Sequence, residues 1–185
     1  MVRNYTGEPP DGAALERVLD AARRSPSAGN TAALDFLVLE GPAQTDRYWS
    51  VTLPEPGGFR WPGLLRAPVL VVPLVRPEAY AERYGEPDKA ATGLGDAAAW
   101  PVPYWWVDGG MAVEALLLAA VAEGLGACFF GQFGHEADVL AAFVIPPDRR
   151  ALGTVALGPA APDEPGRSAA RPRRPLAEVV HRGRW

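Results

Sequence analysis

The chain has 185 residues and a formal net charge of −4, which argues against a general nucleic-acid-binding role. Its 20 glycines and 20 prolines are many, but the 48% hydrophobic content and the 6 Trp, 5 Tyr and 6 Phe exclude a disordered chain. A single cysteine, Cys128, excludes a disulfide framework and a four-cysteine metal site. Arginine supplies all the basic residues except Lys89, a skew that goes with the Ala, Gly and Pro load of a GC-rich genome. No N-terminal apolar stretch reads as a signal peptide. The longest apolar run, around residues 111–122, is interrupted by Glu114 and is too short to span a bilayer. A soluble, cytoplasmic, single-domain protein over residues 1–185 is expected, with no membrane or nucleic-acid partner.

Residues 12–24 carry Leu15, Val18, Leu19 and Ala22 at helical spacing, with Asp11 as N-cap and Pro26 beyond the end. A loop of small residues follows, Ser25 to Asn30. Leu34 to Leu39 reads as a buried strand, residues 43–50 as a short helix, and the Pro- and Gly-rich stretch 52–63 as a loop. Pro68 to Val75 (PVLVVPLV) is the strongest strand pattern in the chain, and its internal Pro73 suits an edge strand or a strand end. Residues 85–103 read as an excursion over the surface. Asp108 is placed to cap a helix over residues 109–124 that is apolar on nearly every side, a pattern that belongs in a core or a subunit interface. Gly124 and Gly126 end it. Ala127 to Phe133 then reads as extended, 135–143 as a helix, Arg150 to Leu157 as a last strand, 159–174 as a Pro- and Arg-rich tail and 175–181 as a short helix. Strands and helices mix without a regular βαβ rhythm, which predicts an α+β fold.

The chemistry the chain lacks is informative. His135 and His181 are its two histidines, and neither sits in a zinc-binding pattern, so no metal site is expected. No GxSxG elbow or Walker A loop is present. Gly124-Leu125-Gly126 begins like a dinucleotide fingerprint, but Phe129 holds its third glycine position and a helix precedes it. Cys128 and His135 could pair as nucleophile and base, yet the apolar run around Cys128 reads better as core. What remains is the Ser27 hydroxyl and Asn30 amide in a small-residue turn, an aromatic-flanked glycine segment (Phe129-Phe130-Gly131-Gln132-Phe133), and arginine near both ends. Arginine forks suit phosphate and aromatics suit a flat ring, which together fit a phosphorylated aromatic cofactor that carries the chemistry itself. A solvated basic tail and a core Phe pair would give the same pattern.

Taken in order, these segments resemble the FMN-dependent nitroreductase family. MVRNYTGEPP with LERVLDAARRSPSAGN is similar to that family's opening Arg-x-Tyr/Phe, helix and PSxxN loop. LDFLVLE resembles the strand after it. VDGGMAVEALLLAAVAEGLGACFFGQF resembles the Asp-capped central helix, Gly-Leu-Gly turn and flavin-facing strand, and IPPDRRALGTVALGPA with RPRRPLAEVV resembles the closing segments. The resemblance implies an α/β sandwich with a central, mostly antiparallel sheet flanked by helices, in an interlocked homodimer with two FMN sites at the subunit interface. It also implies NADH or NADPH as electron donor and a nitroaromatic, quinone or related small molecule as acceptor. Relatives running as dehydrogenases or oxidases of a biosynthetic pathway, or a non-catalytic flavin- or ligand-binding dimer on the same fold, are the alternatives.

The resemblance also implies roles. Arg3 matches a basic residue at the flavin ring edge and ribityl chain. Pro26, Ser27 and Asn30 match the loop that reaches the flavin from the partner subunit, although Ser27 alone reads equally as a turn residue. Phe129 and Phe130 match residues packing on the isoalloxazine. Gly131 and Gln132 match the segment whose backbone N–H points at flavin N5, so no side chain is assigned as catalytic. Arg171 and Arg173 match the basic pair on the FMN phosphate, with Arg174 solvated. The chain departs from the family in two places. A basic, Ser-containing tract that precedes the residue matching Arg3 is missing, so the natural start is expected upstream of Met1. Ala32, Ala33 and Leu34 stand where the family often carries Gln and a Pro-Trp pair. The Trp100 to Trp106 stretch reads either as the lining of a flat acceptor site or as packing under a Pro-rich loop.

Overall fold

The computed structural model describes residues 1–55 and 57–185, without the side chain of Arg167. Helix α1 (Gly12–Arg23) leads to strand β1 (Leu34–Glu40), α2 (Pro42–Thr52), β2 (Val69–Val75), α3 (Glu78–Tyr84) and α4 (Tyr104–Ala122). Then come β3 (Gly126–Phe130), α5 (Glu136–Ala142), β4 (Arg150–Ala151), β5 (Thr154–Gly158) and the short α6 (Leu176–Val179). Every strand pairing is antiparallel, in the order β1-β2-β5-β3 with β4 beside β2, so the α+β expectation holds.

Side chains alternate across a strand, and the core divides accordingly. Leu70, Val72, Cys128 and Ala156 face one side, where Tyr48 of α2 and Val139 of α5 close over them. Val69, Val71, Ala127 and Val155 face the other, under Leu15 and Val18 of α1 and Val113 and Leu116 of α4. Helix α1 starts where expected, its first turn capped by the Asp11 carboxyl accepting from Ala14 N at 3.1 Å. Fully burying one aliphatic side chain such as Leu116 contributes roughly 1.5–3 kcal/mol.

Three elements differ from expectation. First, β2 is central rather than an edge, and buried along its whole length. Pro73 fits there because Leu152 N donates to Pro73 O at 3.0 Å. The nitrogen and carbonyl of one strand residue point the same way, so the missing N–H of Pro73 faces the link between β4 and β5, where no ladder bond is needed. That link also splits the expected strand 150–157. Gly153 sits there at φ 144°, and a Cβ on it would lie 2.6 Å from Phe130 O and 2.7 Å from the Phe129 ring. Second, α3 forms over residues to which the sequence pattern assigns no element, with only Ala79 and Tyr80 as a buried face.

Third, α4 begins at Tyr104, so Asp108 is not its cap but an interior residue, 1% exposed. The helix therefore has 19 residues and is, by length and composition alone, long and apolar enough to cross a membrane. One of its faces packs on α1 and the sheet. The opposite face leaves Tyr104, Val107, Met111, Leu118 and Val121 exposed, with Glu114 among them. Spacings alternating between three and four residues put all six positions on a single seam.

Candidate functional site

Strand β3 is an edge, and its outer side carries the site. Val2 N donates to Ala127 O at 2.9 Å, so the N-terminal segment runs along the start of β3. Tyr5 locks that segment down. It is fully buried, and its hydroxyl reaches Val2 O and Ala156 O, both at 3.0 Å. Burial pushes its phenol far above the usual tyrosine range, so it remains a hydrogen-bond donor. The opening Arg-x-Tyr pattern thereby acquires a physical reason: Tyr5 is the anchor and Arg3 is what it positions.

Arg3 stands between two hollows. The first, of about 430 Å³, is lined by Arg3, Trp49, Trp61 and the whole Phe129–Gln132 segment. Its walls are aromatic: the Trp49 and Phe130 rings stack at 5.7 Å and 16°. The guanidiniums of Arg3 and Arg60 lie 5.0 and 4.9 Å from the Trp61 ring centre, at cation–π distance. Neither Gly131 N–H nor Gln132 N–H donates a hydrogen bond within the described residues. The second hollow, of about 510 Å³, is lined by Arg3 and Arg173 but also by Asp163 and Glu164. Asp163 accepts the backbone N–H of Arg3 at 2.6 Å.

The sequence-derived residues are therefore brought together unevenly. Arg3, Phe129, Phe130, Gly131 and Gln132 share one hollow, and Arg3 and Arg173 share the other. Arg171 is exposed and lines neither. Strand alternation sends Phe129 toward the α1/α4 layer and Phe130 toward the α2/α5 layer, so the two rings meet different surroundings. Cys128 and His135 do line the same hollow, but burial pushes the Cys128 thiol up, away from the nucleophilic thiolate.

Pro26, Ser27 and Asn30 line neither hollow. Their loop is fastened to α3 and α4 instead. Asp108 Oδ2 accepts Ala28 N–H and the Tyr80 hydroxyl, each at 2.8 Å. Arg83 Nε donates to Gly29 O at 3.0 Å, and Ser27 Oγ accepts Ala32 N–H at 2.9 Å. Gly29, at φ 63°, lies so close to Tyr84 that a Cβ would meet its ring at 2.7 Å. The Asn30 backbone N–H donates to Ser27 O at 2.9 Å, while its exposed side-chain amide makes no hydrogen bond within the described residues. The Trp100 ring packs against Tyr80, Tyr84, Tyr104 and Trp105, and its Nε1 donates to Leu94 O at 2.9 Å. The 100–106 aromatics thus brace this clamp, and none of them lines the hollows. Asp108, Tyr80, Tyr48 and Trp49 were not visible as site residues in sequence. Trp61 carried a signal: with Phe59 it is one of two aromatics in a Pro- and Gly-rich stretch, and both line the first hollow.

A model of the nitroreductase family matches residues 1–159. Among solved structures, a nitroreductase from Desulfovibrio desulfuricans, determined in complex with FMN, is 25% identical over 97% of this chain and 88% of its own, with a TM-score of 0.68. An FMN-dependent nitroreductase from Clostridium difficile R20291 shares the fold at 15% identity, covering 100% of this chain and 94% of its own, TM-score 0.70. A nitroreductase family protein from Clostridium difficile 630 does so at 17% identity, covering 100% and 93%, TM-score 0.71. With the family model matched over residues 1–159 and the fold shared with these solved structures, the chain belongs to the nitroreductase family.

Proposed function

We propose that this protein is an FMN-dependent oxidoreductase that draws electrons from NADH or NADPH and reduces a small flat acceptor of the nitroaromatic or quinone type. The observation that carries the reading is the position of Arg3. One arginine joins an aromatic-walled hollow, lined also by Gly131 and Gln132 whose N–H groups donate no hydrogen bond among the described residues, to a hollow that holds Arg173. A flat ring with a hydrogen-bonding edge and an anionic tail matches that pair of spaces. Bound FMN would supply the ring that accepts hydride from the reduced nicotinamide and gives it up to the acceptor. The chain's own part is positional and electrostatic. Trp49, Phe130 and Trp61 keep one wall dry, Gly131 and Gln132 offer fixed N–H donors, and Arg3 places positive charge beside the ring.

Two further elements of the reading concern assembly. The seam of Val107, Met111, Leu118 and Val121 on α4 supports a homodimer in which this face meets its own copy. In such a dimer the clamped loop would present Pro26, Ser27 and the unbonded Asn30 amide to the partner's ring.

The test is direct. Purified protein should be yellow, carry FMN, and bleach anaerobically when NADH or NADPH is added. Colourless protein that takes up no FMN on reconstitution would overturn the reading in favour of a non-catalytic dimer. The second hollow adds a prediction. Asp163 faces the space where an anionic tail would lie, so Asp163→Asn should tighten FMN binding several-fold, by removing one like charge worth about 1 kcal/mol near the surface. Fluorescence titration of apoprotein with FMN measures this, and unchanged or weaker binding would place the anion elsewhere.

A further inference from the structure

Between α2 and the sheet lies a chain of buried polar side chains that packing alone does not call for. Tyr48 and Thr154 are 0% exposed and Gln132 is 7% exposed. The Tyr48 hydroxyl and Thr154 Oγ1 lie 2.7 Å apart, and Gln132 Nε2 donates to Thr154 Oγ1 at 3.0 Å. Gln132 Oε1 is buried and has no partner among the described residues. An orphaned buried acceptor costs about 1–3 kcal/mol. A methionine would fill the same space without that cost, so this arrangement is not the most stable one available.

What the chain of side chains accomplishes is geometric. Phe130 is the register partner of Thr154. A Gln132 side chain bound to Thr154 therefore draws residues 131–132 back against the start of β5, just past the last paired residue of β3. There Gly131 and Gln132 line the first hollow, and neither N–H donates a hydrogen bond among the described residues. Little else holds this turn. Among the described residues its one other hydrogen bond runs from His135 N to Gln132 O, at 2.9 Å. Gly131 and Gly134 flank it, and the neighbouring Phe133 is 94% exposed with φ 46°.

We propose that the Tyr48–Thr154–Gln132 chain is a positioning device that aims the Gly131 and Gln132 N–H groups into the hollow and thereby sets the redox balance of the ring held there. The inference rests on the flavin reading above and assigns the Gln132 side chain, not only its backbone, a part in the site. An N–H aimed at a ring nitrogen favours the form in which that nitrogen carries no proton, which is the oxidised ring. Loosening the aim therefore raises the potential.

The test uses FMN-loaded protein and reads the two-electron potential spectroelectrochemically beside the melting temperature. Gln132→Met removes the tether and the orphaned acceptor together. It should raise the potential by about 30 mV, a tenfold change in the ratio of affinities for reduced and oxidised flavin, while the melting temperature stays level or rises. Thr154→Val should shift the potential in the same direction, and Thr154→Ser, which keeps the hydroxyl, should restore it. An unchanged potential in Gln132→Met and Thr154→Val overturns the proposal, as does a shift that appears only with a lower melting temperature. Wild-type protein that binds no FMN would instead remove the flavin reading itself, before any variant is compared.

Discussion

Leu118→Glu is expected to convert the proposed dimer to monomer and to strip it of flavin, while the fold of each subunit survives. Leu118 is 61% exposed on the isolated subunit, so a glutamate there costs the monomer little. Across a two-fold contact the same substitution appears twice, and each new carboxylate must leave water for a mostly apolar seam whose one charged position, Glu114, carries the same sign. Such desolvation costs several kcal/mol per ion in real proteins. Even about 2.7 kcal/mol would weaken association 100-fold. Flavin should be lost in parallel, because the clamped Ser27–Asn30 loop would no longer be supplied by a neighbour. Sedimentation velocity over a concentration range, with the flavin-to-protein absorbance ratio, measures both effects. A variant that stays dimeric would show that the α4 seam is not the interface. A flavin-replete monomer would show that each subunit holds its cofactor alone.

Asp108→Ala is expected to act through the loop rather than through the hollows. The substitution leaves Ala28 N–H and the Tyr80 hydroxyl without their shared acceptor in a buried setting. Two such losses, at about 1–3 kcal/mol each, cost roughly 2–6 kcal/mol, which for a chain of this size lowers the melting temperature by roughly 4–24 °C. Flavin affinity should fall at the same time, since the loop that carries Asn30 is released. Asp108→Asn keeps one acceptor oxygen and should show the smaller effect on both. Thermal melts with and without FMN, and a fluorescence titration, separate the two consequences. Full flavin affinity in Asp108→Ala would deny the loop any part in the site.

The pair of predictions rests on a residue that the sequence pattern misassigns and on a seam that it half reveals. An aspartate just before a long apolar run is the ordinary mark of an N-cap, and Asp108 carries that mark. Pro103 nevertheless starts the helix earlier, and the turn Tyr104 to Val107 consists of residues with weak helical preference, stabilised by packing against Tyr80 and Trp100. The apolar character of α4 was legible, but which of its faces would stay open depends on where α1 crosses it. Similarly, PVLVVPLV reads plainly as a strand. Its central place follows from the break at Leu152–Gly153, far along the chain, which accommodates Pro73. In the site, Arg3, Tyr5 and the Phe129–Gln132 segment were legible because they are contiguous and chemically distinctive. Tyr48, Trp49 and Thr154 were not, since they come together only when α2 lies on β5 and β3. Arg171 shows the opposite limit: a family position matched in sequence need not line the space its chemistry suggests.

Arg3 carries a last consequence. Its guanidinium rests near Trp61 on one side and Gly166 on the other, its backbone is tied to Asp163, and it borders both hollows. Ordering a long arginine side chain is a substantial part of the entropy lost when a ligand is gripped. Here one ordered side chain serves two spaces, so whatever occupies the first has already lowered the cost of filling the second. On the proposed function, a molecule with a flat end and an anionic end would thereby be told apart from either half alone, through a single shared hinge of charge rather than through two independent grips.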